Sequence, residues 1–253
     1  MNRELSLWRL SKRGVGYRYM KTHTIFLIVI GILVVGILAY WFFGHPKTQV
    51  AVSPSPTATM APTATPNLYD QSVSTGTIQV PYSSADYTLA TKLSQITVKA
   101  YIPPCDPIFN YCLFYSGTAY AGTNFESAGL RIQNRTDLTT QTTCLNALPT
   151  SYTDMMPVIA SNSGYMTAVF SPLGDAGAGH YATGAEYRLW SGGSCYEFET
   201  RLGQTQFANY PAGSIKEFTA DNQATVQAGL EAMINNITLV NGKTVSFPPA
   251  KTQ

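Results

Sequence analysis

The sequence predicts an α+β fold: a mainly antiparallel sheet with a C-terminal helix packed on it, preceded by one transmembrane helix and a disordered stalk. Three observations predict it. Residues 24–43 form an apolar run of 20 residues without a charge, residues 44–66 are rich in Pro, Thr, Ala and Ser, and residues 67–253 alternate short β-like runs with Gly, Pro and Ser. We therefore expect a cytoplasmic basic tail over residues 1–23, followed by the transmembrane helix, the linker and an extracytoplasmic domain.

Charge is scarce and unevenly distributed along the chain. Charged residues make up 12% of it, about half the quarter that is usual for soluble domains, which favours an envelope or secreted protein. Residues 1–23 carry six Lys and Arg against one Glu, whereas the rest of the chain has ten against thirteen Asp and Glu. No basic stripe is left for the domain, so the composition excludes a nucleic-acid partner.

The apolar run predicts a signal anchor. Twenty residues of helix, at about 1.5 Å per residue, match the hydrocarbon core of a bilayer. The positive charges before the run place the N-terminus in the cytoplasm and the C-terminal domain outside, as a single-pass protein of the cell membrane. The alternative is a cleaved signal peptide, whose apolar region normally has about 7–15 residues.

The linker over residues 44–66 has too few apolar side chains to fold, because burial could not offset the loss of chain entropy. A segment rich in Pro and Thr is extended. It would hold the domain at a distance from the membrane surface.

The four cysteines, Cys105, Cys112, Cys144 and Cys195, all lie in the predicted domain. An even number outside the membrane predicts two disulfides, for which three pairings are possible. We favour Cys105–Cys112, because turn-forming residues separate these two, which leaves Cys144–Cys195 as the long-range link. The paired short spacings of a zinc site are absent, and the sequence predicts neither a metal nor a cofactor.

Short β-like runs predict the sheet. They are Gln95–Ile102, Ile108–Tyr115, Phe125–Gln133, Met156–Ala160, Tyr165–Phe170, Glu186–Trp190 and Cys195–Leu202. The last two runs flank Ser191-Gly192-Gly193, which indicates a hairpin. In its second strand Cys195 lies on the more polar face, so a disulfide requires the partner segment to cross that face.

The closing segment predicts the C-terminal helix. Apolar residues recur there at helical spacing from Val226 to Ile237, and they form one stripe suited to packing on a sheet. Either Thr219 or Asp221 can cap its N-terminus.

The Gly-rich stretch Gly174–His180 is the first candidate site. A phosphate-binding loop would need a helix after it, whereas a strand-like run follows here. We interpret the stretch as a mobile loop between strands. The functional alternative makes Asp175 and His180 the polar pair of a ligand loop, and an envelope hydrolase could use it.

Charged residues of the hairpin are the second candidate. Glu186, Arg188, Glu197, Glu199 and Arg201 are predicted to share one face. Carboxylate pairs can act as acid and base, but alternating opposite charges are more typical of a solvated cross-strand ladder. No residue is therefore assigned a catalytic role.

Together, the anchor, the stalk, the stretch GDAGAGHYATGAEYRLWSGGSCYEFE and the closing FTADNQATVQAGLEAMINNI resemble uncharacterised membrane-anchored bacterial envelope proteins. Over residues 120–240 the domain is also similar to PsbP/Mog1-like α+β domains. The resemblance implies location and architecture, and it carries over no catalytic residue. We expect a binding or interaction module of unknown ligand, whose partner is an envelope protein or a cell-wall glycan.

Overall fold

The computed structural model describes residues 69–150 and 152–250. Within these ranges ten strands and two α-helices follow one another in this order: β1 (Gln71–Thr75), β2 (Ile78–Tyr82), β3 (Tyr87–Ala90), β4 (Tyr111–Tyr115), β5 (Phe125–Asn134), α1 (Gln141–Asn146), β6 (Val158–Asn162), β7 (Tyr165–Gly177), β8 (His180–Ser191), β9 (Ser194–Thr205), α2 (Ala220–Asn235) and β10 (Thr238–Leu239). The strands form two antiparallel sheets, a small one ordered β1-β2-β10 and a large one ordered β3-β4-β5-β9-β8-β7-β6.

One face of the large sheet forms the hydrophobic core. Alternate residues of the central strands, such as Ile132, Tyr187 and Phe198, are buried there, as the period of two in a strand requires. Helix α2 packs on this face and on the small sheet. Its N-cap is Thr219, whose hydroxyl accepts a hydrogen bond from the Asn222 amide, so the first of the two predicted caps is used.

The opposite face of the large sheet is polar and is partly covered by two disulfide-linked segments. The four cysteines form Cys105–Cys112 and Cys144–Cys195, the pairing that the sequence favours. The second disulfide ties the C-terminal half of α1 to the start of β9, and α1 packs against β7 and β8. The segment around Cys144 therefore crosses the polar face, as the position of Cys195 predicted.

The predicted mobile loop at Gly174–His180 is wrong. Residues up to Gly177 continue β7, His180 opens β8, and the register pairs Gly177 with His180. The turn consists of Ala178 at φ 50° and Gly179 at φ 82°. Positive φ at both turn residues matches the twist of the flanking strands, and pairing with β8 overrides the low strand propensity of the glycines in β7.

Several predicted strand bounds also change. The run Gln95–Ile102 is not a strand; a 3₁₀ turn, Leu93–Gln95, precedes irregular chain there. β6 begins two residues later than predicted, and β7, β8 and β9 are all longer than their apolar runs. Strands β1, β2, β3 and β10 were not predicted.

The predicted fold class is corrected in two respects. The described chain is predominantly antiparallel sheet, with two sheets and a second helix, α1, in place of a single sheet carrying one helix. In addition, no helix within residues 69–150 and 152–250 is long and apolar enough to cross a membrane. The predicted basic tail, the transmembrane helix and the linker, over residues 1–66, lie outside the described residues.

Candidate functional site

A cavity of about 710 Å³ opens on the polar face of the large sheet. Its bottom is a set of five charged side chains from the central strands, which we call the charged floor: Arg131, Glu186, Glu197, Glu199 and Arg201. One wall is the loop closed by the Cys105–Cys112 disulfide, and the other is the segment after α1. The cavity therefore lies between two covalently tethered walls.

Three carboxylates of the charged floor converge on one nitrogen. Nη2 of Arg131 lies 2.6 Å from an oxygen of Glu197, 2.6 Å from one of Glu199 and 3.8 Å from one of Glu186. Glu186 is only 2% exposed and Glu197 only 1%. The interpretation as a solvated ladder is wrong, because these charges are enclosed by the walls above them.

Arg188 lies beside the charged floor, on the same face of β8 as Glu186, and is fully buried. Its Nε donates a 2.6 Å hydrogen bond to Glu186, and its Nη1 donates to the carbonyls of Cys144 at 3.0 Å and Ala147 at 2.6 Å. Carbonyls at the end of a helix have no partner within the helix. Arg188 supplies that partner for α1 and so links the wall to the charged floor.

Further ion pairs fix both walls. Arg201 pairs with Glu199 at 2.6 Å and with Asp106 of the disulfide loop at 2.8 Å. Arg135 pairs with Asp137 at 2.7 Å and also contacts Glu197.

The second wall is also fastened to β7. The hydroxyl of Tyr152 accepts a hydrogen bond from the amide of Gly174 at 2.6 Å and donates one to its carbonyl at 2.7 Å. The cavity is consequently held open by disulfides, ion pairs and hydrogen bonds.

Burial changes the protonation of Glu186 in the charged floor. The pKa of Glu186 rises to about 8, first because burial removes water from the carboxylate and then because Glu197 adds negative charge, against the pull of Arg188 and Arg131. In contrast, the hydrogen bonds from Arg135 lower the pKa of Asp137 to about 2. The site thus combines a carboxyl that holds its proton at neutral pH with one that is ionised.

Six carboxyl groups line the cavity against three guanidinium groups. The carboxyl groups belong to Asp106, Asp137, Asp175, Glu186, Glu197 and Glu199, and the guanidinium groups to Arg131, Arg135 and Arg201. The cavity therefore offers donors and acceptors side by side, with an excess of negative charge.

The two residues of the predicted ligand loop have different surroundings. Asp175 is exposed, lies opposite Ala182 in the strand register and lines the cavity. His180 lies on the same face of β8 as Ala182. Its Nδ1, however, is 2.9 and 3.0 Å from the two oxygens of Glu126, and its ring stacks on Tyr101. The partner of His180 in the structure is Glu126.

The charged floor was not predicted as a site, although one feature of the sequence indicates it. Cys195 shares its face of β9 with Glu197, Glu199 and Arg201. A long-range disulfide on that face requires a covering segment, and a covering segment buries the charges next to it. Arg131 carried no such signal, because its strand had no cysteine.

No cluster of three or more His, Cys, Asp or Glu side chains suited to a metal ion occurs in the part of the chain that the structure describes. The convergent glutamates instead surround the guanidinium of Arg131. Comparison of the chain with known protein families gave no match, and comparison with curated proteins gave none either. The similarity to PsbP/Mog1-like domains stays a prediction.

Proposed function

We propose that the domain is a binding module that holds a small polar ligand in the cavity above the charged floor. The observation that carries this proposal is that buried, paired charges form the bottom of an open cavity. Buried ion pairs are seldom better for stability than apolar side chains of similar size. The opposite face of the same sheet is apolar, so packing alone does not account for the charges.

The geometry suits binding in three ways. The volume of about 710 Å³ lies within the range of roughly 300–1,000 Å³ for small-ligand pockets. The tethered walls reduce the entropy that would be lost on closing around a ligand. Asp175 lines the cavity and is exposed, so its carboxylate is accessible to a ligand as a hydrogen-bond acceptor.

We place this module outside the cytoplasm. Both disulfides support that location, because such bonds persist in oxidising compartments. The partner would then be a component of the envelope, either a cell-wall glycan or a protein segment that fits the cavity.

Isothermal titration of the full-length protein tests the proposal. The probes are linear oligosaccharides, the dipeptides Ala-Ala and D-Ala-D-Ala, and spermidine. Thr150→Trp fills the cavity mouth, because Thr150 is exposed and lines it, while Thr142→Trp adds the same ring on an exposed position of α1 that does not line it. Binding of at least one probe should be lost in Thr150→Trp and kept in Thr142→Trp. If no probe binds, or if both variants bind equally, the proposal is wrong.

A hydrolase remains the second candidate, and the Glu126–His180 hydrogen bond favours it. A carboxylate that orients a histidine is a common part of hydrolytic sites. No free cysteine is available as nucleophile, since all four are in disulfides. Turnover of a probe by the full-length protein, abolished by His180→Ala and by Asp175→Ala, would support hydrolysis, whereas a binding module keeps its affinity for the probe in at least one of these variants.

A further inference from the structure

Tyr101 is an exposed aromatic ring that the structure holds in place. Tyr101 is 62% exposed. Its backbone amide donates a 2.6 Å hydrogen bond to Glu126, and its ring stacks on the imidazole of His180 with centroids 4.6 Å apart and planes 24° from parallel. The carboxylate of Glu126 therefore fixes both the backbone and the stacking partner of this ring.

The ring lies beside the cavity. A Cβ at Gly177 would be only 3.1 Å from Cε1 of Tyr101, so the ring lies directly over the end of β7. Asp175, two residues earlier on the same face of that strand, lines the cavity. Tyr101 itself does not line the cavity, but the absence of a side chain at Gly177 leaves room for its ring on the strand, two residues from Asp175.

A fixed, exposed aromatic ring next to both hydrogen-bond donors and acceptors is suited to binding a sugar. Sugar rings present C–H groups on their flat faces, which pack on aromatic rings, and each hydroxyl both donates and accepts hydrogen bonds. A guanidinium next to a carboxylate, such as Arg201 next to Glu199, can donate a hydrogen bond to a hydroxyl and accept one from it.

Other ligand classes fit this surface less well. An anionic ligand would face six carboxyl groups, of which only Glu186 is held protonated by burial, against three guanidinium groups. An apolar ligand would desolvate the charged floor without replacing its hydrogen bonds, which is costly. A neutral or amine-bearing ligand with many hydroxyl groups avoids both penalties.

We infer that the cavity and Tyr101 together form a carbohydrate-binding site, in which one sugar ring stacks on Tyr101 while its neighbour reaches the charged floor. This inference rests on the proposed function, since it names the ligand class of the same cavity. It also gives the half-buried Glu126 a positioning role, because Glu126 fixes the ring that the sugar contacts.

The test measures the affinity of the full-length protein for four linear tetrasaccharides, built from N-acetylglucosamine, β-linked glucose, α-linked glucose and mannose. We expect at least one of them to bind. Tyr101→Ala should weaken that binding about tenfold, as expected for the loss of one aromatic stacking contact. Tyr101→Phe, which keeps the ring, should stay within about twofold of the unmodified protein.

Val240→Ala is the matched control, because Val240 is 70% exposed and does not line the cavity. It should leave the affinity unchanged, and saturation-transfer NMR should show contact between sugar protons and an aromatic ring that is lost in Tyr101→Ala.

Three results would overturn the inference. If a dipeptide or spermidine binds in the cavity while no tetrasaccharide does, the ligand class is wrong but the proposed function stands. If a tetrasaccharide binds equally well to Tyr101→Ala and to the unmodified protein, the ring is not part of the site. If no probe of any class binds, both the proposed function and this inference fail.

Discussion

The raised pKa of Glu186 predicts that the free energy of unfolding depends on pH. In the folded protein the pKa of this carboxyl is raised from 4.5 to about 8. Between these two values the unfolded chain has released the proton and the folded chain still holds it. The free energy of unfolding therefore falls as pH rises through this window, at up to about 1.4 kcal/mol per pH unit and by on the order of 5 kcal/mol in total.

Glu186→Gln mimics the protonated carboxyl and should remove this dependence. At pH 5 the variant and the unmodified protein should have similar stability, because both carry a neutral side chain beside Arg188. At pH 9 the variant should be more stable by several kcal/mol, because only the unmodified protein then buries an additional negative charge near Glu197. Asp137 does not interfere, since its pKa is lowered to about 2 and its contribution is lost only in strong acid.

Urea unfolding of the full-length protein between pH 5 and pH 9 measures this difference. Glu217→Gln, at an exposed position, is the control and should follow the unmodified protein at every pH. A flat profile for the unmodified protein, together with a loss of several kcal/mol in Glu186→Gln at every pH, would contradict the raised pKa of Glu186. That result would mean that Glu186 is ionised and that its ion pair with Arg188 outweighs the cost of burial.

Three further predictions concern the cavity walls and the helix. Replacing the Cys144–Cys195 disulfide by two serines should cost about 4 kcal/mol in urea unfolding, against about 2 kcal/mol for Cys105–Cys112, because the longer loop restricts the unfolded chain more; equal losses would contradict this. Gly184→Ala should destabilise the protein by about 1–3 kcal/mol, because its Cβ would lie 1.8 Å from the carbonyl oxygen of Thr200. Gly174→Ala is the control and should have a mild effect, because the nearest atom to its Cβ is 4.0 Å away. Similar melting temperatures for the two variants would contradict the strand geometry. Thr219→Ala should lower the stability of the protein by about 1 kcal/mol through loss of the N-cap of α2, and unchanged stability would exclude that cap.

The sequence predicted those strands and helices in which apolar residues recur at a regular spacing. The alternation from Cys195 to Leu202 assigns the cysteine and the charged side chains of β9 to the correct face, and the hairpin turn falls on Gly192 and Gly193, both at positive φ. The stripe from Val226 onward and the cap at Thr219 predict α2 for the same reason. In each case a periodic pattern ends at a residue that can take the required turn or cap conformation.

The missed elements are those whose formation depends on distant partners. α1 contains a run of threonines, which have low helix propensity, yet the Thr140 hydroxyl caps it and the disulfide and Arg188 hold its other end. The Gly-rich end of β7 is a strand only because β8 pairs with it. The charged floor combines residues more than fifty positions apart, such as Arg131 and Glu197, so strand periodicity could show which of them share a face but not what encloses them.

Amide chemical shifts of the full-length ¹⁵N-labelled protein show where the tightest-binding probe contacts the domain, and so whether the cavity is the ligand site. We expect the largest changes to centre on the cavity, at Asp175, Gly184 and Arg201, and to extend to Tyr101 for a sugar probe. Changes centred on the α2 side of the large sheet or on the small sheet, with Gly184 and Arg201 unaffected, would contradict this expectation.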